Sequence, residues 1–126
     1  MIPIKTFGLT HIALKVKSLE RSMKFYQDVF DMKVMYDQDG IPQLQTPGCK
    51  DIIVFEEGDS KNGNSGGIAH FGFRLQNAND MDAAANTIME AGGIILERGE
   101  FVPGEPYIFF KDPDGYEMEV WYELIG

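Results

Sequence analysis

One short pattern occurs twice in this chain, and it limits the folds open to it. Thr10-His11-Ile12-Ala13-Leu14-Lys15-Val16 returns as Ala69-His70-Phe71-Gly72-Phe73-Arg74-Leu75. Both copies read small, histidine, apolar, small, apolar, basic, apolar. Self-similarity of this kind marks one supersecondary unit used twice. The segments after the two copies also agree. SLERSMKFYQDVF, residues 18–30, predicts a helix with Ser18 as N-cap and Leu19, Met23, Tyr26 and Phe30 turned inward. Arg21 stands where a capping-box glutamate would. NDMDAAANTIMEA, residues 79–91, predicts a second helix capped by Asn79 or Asp80, with Met81, Ala85, Ile88 and Met89 inward. Gly92-Gly93 is a C-terminal stop for it.

Each helix leads into β-like segments. In the first half these are residues 33–37, 43–46 and 51–56, broken by Asp39-Gly40 and Pro47-Gly48. In the second they are 94–97, 107–111 and 116–123, broken by Pro103-Gly104 and by Asp112-Pro113-Asp114-Gly115. That last tetrapeptide has the composition of a tight turn. The unit is therefore βαβββ, present twice: module one spans 5–57, a polar, glycine-rich linker 58–67, and module two 68–125. The expected fold class is α+β, with two paired βαβββ modules forming a curved mixed sheet and the helices on its outer face. The whole chain, 1–126, reads as a single domain.

Strand alternation assigns faces. Ile12, Leu14 and Val16 point to the helices, and so do Phe71, Phe73 and Leu75. His11, Ala13 and Lys15 point the other way, as do His70, Gly72 and Arg74. On the last strand Met118 and Val120 face the helices, leaving Glu119 and Trp121 opposite. A shared concave surface would then bring His11, His70 and Glu119 together. Two imidazoles and one carboxylate are the ligand set of an open divalent-metal site. A lone strand histidine is more often a surface residue. Here both of the chain's 2 histidines hold equivalent places in a repeat, which favours ligation. Trp121 reads as core or interface more readily than pocket, and Glu117 and Glu123 as solvated.

Twenty acidic against 11 basic side chains give a formal net charge of −9. That balance disfavours nucleic acid and anionic membrane as partners and suits a cationic ligand or plain solubility. The single Cys49 excludes an internal disulfide and fits a reducing compartment. No signal stretch and no apolar run long enough to cross a bilayer occur, which predicts a cytoplasmic protein.

LTHIALKVKSLERSMKFYQDVFDMKV resembles the opening of the vicinal oxygen chelate superfamily, the group of glyoxalase I, bleomycin-resistance proteins and extradiol dioxygenases. AHFGFRL resembles the start of its second module, and FFKDPDGYEMEVWYE its closing hairpin and strand. The resemblance covers nearly the whole chain. It implies His11, His70 and Glu119 as metal ligands, with iron, zinc, nickel or manganese as the ion. A fourth ligand, where present, comes from the last strand of the first module. There Ile53 or Val54 aligns with Glu119, and Glu56 would serve only after a register shift. No general base is assigned; Tyr107 and Trp121 are pocket candidates. The resemblance implies a metal-dependent enzyme, a glyoxalase I-like lyase or a dioxygenase, acting on a small substrate that chelates through oxygens. Its members also include non-catalytic proteins that sequester a cationic drug. A homodimer is the expected assembly.

Overall fold

A computed structural model of the chain describes residues 1–37, 40–58 and 67–123. The elements run β1 (Ile12–Val16), α1 (Leu19–Phe30), β2 (Lys33–Tyr36), β3 (Gln43–Gln45), β4 (Ile53–Glu57), β5 (Phe71–Arg74), α2 (Met81–Glu90), β6 (Ile94–Glu100), β7 (Pro106–Lys111) and β8 (Glu117–Trp121). A single 3-10 turn, Ala78–Asp80, precedes α2. The fold is α+β, built from βαβββ twice, as the repeat demands. Most of the glycine-rich linker, 59–66, lies outside the described residues.

Each unit forms its own four-stranded sheet. The orders are β1-β4-β3-β2 and β5-β8-β7-β6. β1 pairs β4 in parallel and β5 pairs β8 in parallel; the other pairs are antiparallel. Parallel neighbours require a crossover, and α1 and α2 supply it. Among the described residues the two sheets share no hydrogen-bonded strand pair. The mixed sheet expected from the two modules takes the form of two four-stranded sheets, one from each unit. Among the described residues β1 and β5 each keep one edge without a strand partner.

Ser18 caps α1 through its hydroxyl, which accepts from the Arg21 backbone N–H at 3.2 Å. The helix ends on Asp31, whose φ of 54° is left-handed, a conformation that aspartate tolerates better than most residues. Asp80 holds the N-cap position of α2, as expected, but makes no side-chain cap bond. The 3-10 turn before it has its own cap: Asn77 accepts from the Asn79 N–H at 2.9 Å. β6 continues to Glu100 through an irregularity between Ile95 and Glu97.

The core sits between the helices and the inner faces of both sheets. Leu14, Val16, Phe25, Tyr26, Leu44, Phe55, Ile88, Ile108, Phe110, Met118 and Val120 are buried in one cluster. Full burial of a side chain such as Phe25 or Phe55 contributes about 1.5–3 kcal/mol. Phe30 stacks on Phe73 with centroids 3.9 Å apart, so α1 packs against the second unit as well as its own.

The Asp112-Pro113-Asp114-Gly115 turn adds polar ties between the units. Asp112 Oδ2 accepts from the buried Tyr26 hydroxyl at 2.8 Å. Its Oδ1 accepts the N–H groups of Asp114 and Tyr116, each at 3.0 Å. Asp114, with a side chain 1% exposed, accepts from Arg21 Nη2 and from the Lys17 N–H at 2.9 Å, and from Ser22 Oγ at 2.9 Å. The turn is therefore a clamp on α1.

Candidate metal centre

The second sheet positions its site through register. β5 and β8 pair Gly72 with Glu119 and Arg74 with Trp121. His70 stands one residue before β5 and turns its ring to the same side as Glu119. Its Nε2 lies 3.9 Å from Glu119 Oε1. Two donor atoms that each sit about 2.0–2.2 Å from one ion are separated by at most about 4.4 Å, so the pair lies within reach of a shared metal. Gly72 makes the room. A Cβ there would come within 2.9 Å of the Glu119 carbonyl oxygen and 3.2 Å of its Cβ. Burial raises the Glu119 carboxyl pKa, the neighbouring His70 opposes that shift, and Glu123 adds to it. A bound cation would reverse the balance by favouring the ionised form.

His11 does not join them within the chain. It precedes β1 on the other sheet, exposed, with Nδ1 2.6 Å from Thr10 Oγ1. Among the described residues no three His, Cys, Asp or Glu side chains gather as a metal-holding group.

Register in the first sheet sets which residue stands across from Ala13, the counterpart of Gly72. β1 and β4 pair Ala13 with Val54 and Lys15 with Glu56. Val54 thus holds the place that Glu119 holds in the second unit. Glu56 falls two residues further along the same face, at the counterpart of Trp121, and its Oε1 takes an ion pair from Lys15 Nζ at 3.2 Å. The equivalent basic residue, Arg74, is likewise paired, with Glu123 at 3.0 Å.

Tyr107 and Trp121 are cross-strand partners, in the row beside the one that pairs Phe109 with Glu119. The Tyr107 hydroxyl donates to Glu97 Oε1 at 2.8 Å, and that bond, with burial, raises its pKa. Trp121 Nε1 is buried and finds no hydrogen-bond partner among the described residues. Two residues of this face are absent from the sequence-based candidates. Phe109 meets the His70 ring edge-on at 4.9 Å, and alternation along β7 from Tyr107 would have found it. Phe101, in the β6–β7 connection, stacks on Tyr107 at 4.1 Å; no periodicity marks it.

Residues 8–120 match the family model described as Glyoxalase/Bleomycin resistance protein/Dioxygenase superfamily. The chain belongs to that superfamily. Among its relatives, catechol-2,3-dioxygenase of Bacillus subtilis is 29% identical over 119 residues, 89% of this chain but 41% of that protein. This chain therefore spans under half the length of that relative. Lactoylglutathione lyase of Haemophilus influenzae is 28% identical over 123 residues, covering 88% of this chain and 89% of the lyase. The fosfomycin resistance protein FosX of Listeria monocytogenes has a similar structure, with TM-score 0.81 and 25% identity over 96% of this chain and 97% of that one. A point mutant of FosX from that organism has also been crystallised with Mn(II) and 1S,2S-dihydroxypropylphosphonic acid. The superfamily thus includes lyases, dioxygenases and fosfomycin-resistance enzymes, with divalent metal among its cofactors. No described helix is long and apolar enough to cross a membrane.

Proposed function

We propose that the chain is a metal-dependent enzyme acting on a small substrate through vicinal oxygens, at a site completed between two copies. His70 and Glu119 of one copy and His11 of a second would hold the ion. The observation that carries this reading is the His70–Glu119 pair, 3.9 Å apart beside a glycine that keeps the approach open. The two-copy arrangement draws its support from His11, which the repeat makes equivalent to His70, and from the open edges of β1 and β5. The segment leading into His11 adds to it: Ile2, Ile4, Phe7 and Leu9 are all exposed, an apolar strip of the kind a second copy covers.

A metal held there would act as Lewis acid and template for the substrate oxygens. Val54 in the fourth-donor place favours a set of two histidines and one carboxylate with positions left open. That set suits iron(II) and dioxygen chemistry better than a four-ligand lyase site. The single cysteine, exposed and unpaired, accords with a reducing, cytoplasmic setting.

Elemental analysis of protein purified without chelators tests the proposal, with His70→Ala as control. Close to one metal per chain, lost in the variant, is expected, followed by oxygen uptake with catechols. Metal retained by His70→Ala would refute the ligand assignment. Hemithioacetal isomerisation without oxygen uptake would move the reaction to the lyase class. A second reading, capture of a cationic ligand without chemistry, is favoured by the net charge of −9 and the exposed aromatic Phe101. It predicts no bound metal even after reconstitution.

A further inference from the structure

The face of the second sheet that turns away from the core is not the polar surface that water selects. In register across β8, β7 and β6 it carries Glu119, Phe109 and Glu97 in one row and Trp121, Tyr107 and Gly99 in the next. Gly99 leaves space for the Tyr107 ring; a Cβ there would meet its hydroxyl at 2.9 Å. Phe101 folds back from the β6–β7 turn onto Tyr107, with centroids 4.1 Å and planes 15° apart, and stands edge-on to Trp121 at 5.3 Å. Phe109 continues the wall, 5.4 Å from Tyr107 and 4.9 Å from His70. The wall therefore runs without a break into the His70–Glu119 pair.

Two features say that the wall is made for a ligand. Phe101 keeps 49% of its surface exposed although it lies against three other rings. Trp121 Nε1 is the one buried side-chain donor without a partner among the described residues, and buried donors are normally satisfied. Its row lies two residues along the strand from Glu119, about 7 Å away. A substrate body that extends from the His70–Glu119 pair along the strand would lie against this row.

We propose that Phe101 and Trp121 are specificity-determining residues. They hold a flat apolar ring of the substrate beside its chelated oxygens, and the indole N–H donates to a substrate oxygen. A turn of the half-exposed Phe101 ring uncovers the indole for this contact. The inference rests on the metal-centre reading and narrows its substrates to compounds with a planar, apolar body.

Trp121 is the only tryptophan, so its fluorescence reports this wall alone. Metal-loaded protein is titrated with benzohydroxamate and with acetohydroxamate, which chelate identically and differ in phenyl against methyl. Benzohydroxamate is expected to bind at least ~5-fold tighter and to perturb the emission, since ring–ring packing adds to simple burial. Phe101→Ala should cut the preference to under ~2-fold. Trp121→Phe, read by calorimetry, should weaken benzohydroxamate several-fold by losing the N–H while keeping a ring. Equal affinities in the wild type, or a preference untouched by Phe101→Ala, would overturn the proposal. So would a Phe101→Ala protein that keeps the preference but dissociates to monomers, because the wall would then belong to the second copy. If the protein takes up no metal, the metal-centre reading fails by itself. Benzamide against acetamide on metal-free protein then reads the wall, and no preference there overturns it too.

Discussion

Asp112 shows how one side chain can outweigh its motif. A Pro-Asp-Gly turn needs no buried carboxylate, yet Asp112 is 2% exposed and accepts three hydrogen bonds. Burial raises its pKa, with the bonds from Tyr26 and Tyr116 opposing the shift. A folded-state pKa above the unfolded one means that the group's stabilising contribution is complete below the ordinary aspartate range. That contribution is lost as pH rises through the folded value. Asp112→Asn removes the titration and keeps the shape. The stability of Asp112→Asn relative to wild type should therefore improve between about pH 4 and pH 7, as read by urea unfolding at each pH. A difference that stayed constant with pH would refute the assignment. Tyr26, whose own pKa burial raises well above the usual range, stays a donor throughout. Tyr26→Phe leaves Asp112 Oδ2 short of its partner and should cost about 1–3 kcal/mol in the same measurement.

At the scale of elements, the β5–β8 pairing carries the site. Gly72 faces Glu119 across the ladder, and its missing side chain is the condition for the carboxylate to lie toward His70. Alanine at 72 must displace Glu119 backbone or side chain, so Gly72→Ala should destabilise by about 1–3 kcal/mol and weaken metal uptake. Ala13→Gly, at the matching place of the first unit, is expected to leave metal uptake close to wild type, because its cross-strand partner is Val54. Metal titration of both variants, with thermal unfolding alongside, checks the contrast. Equal metal uptake by Gly72→Ala and wild type would remove the glycine from the site. The α1 cap is an ordinary structural term by comparison: Ser18→Ala should cost about 1 kcal/mol without touching metal content.

At the scale of the molecule, a site shared by two copies makes a prediction that no single-chain site can mimic. His11→Ala and His70→Ala homodimers should each lack a complete ligand set. Mixed after reversible dissociation, they form heterodimers in which one site regains His11 from one chain and His70 with Glu119 from the other. Random pairing restores about a quarter of all sites. Metal content of the mixture, measured after removal of free ion, reads this directly. If nothing is restored while heterodimers demonstrably form, the three ligands do not meet across the copies.

Much of the architecture was legible in the residues. Histidine positions, helix faces and strand faces all follow from periods of 3.6 and 2, and these are local properties of the backbone. The repeat made His11 and His70 equivalent, and alternation put Glu119 and Trp121 on one face; both readings needed only neighbouring residues. The register that sets Val54 rather than Ile53 beside Ala13, and that pairs Glu56 with Lys15, is set by strand packing across the sheet. Phe101 lies in a turn, where no period exists to read. The clamp from Asp112 and Asp114 onto α1 joins residues far apart in the chain. By itself the sequence determined the βαβββ repeat and the face each candidate ligand occupies, because secondary structure is decided over a few residues at a time. Only the tertiary structure decided that His70 and Glu119 meet while His11 stands apart and that an aromatic wall adjoins them, because such meetings depend on which sheet edges and turns come together.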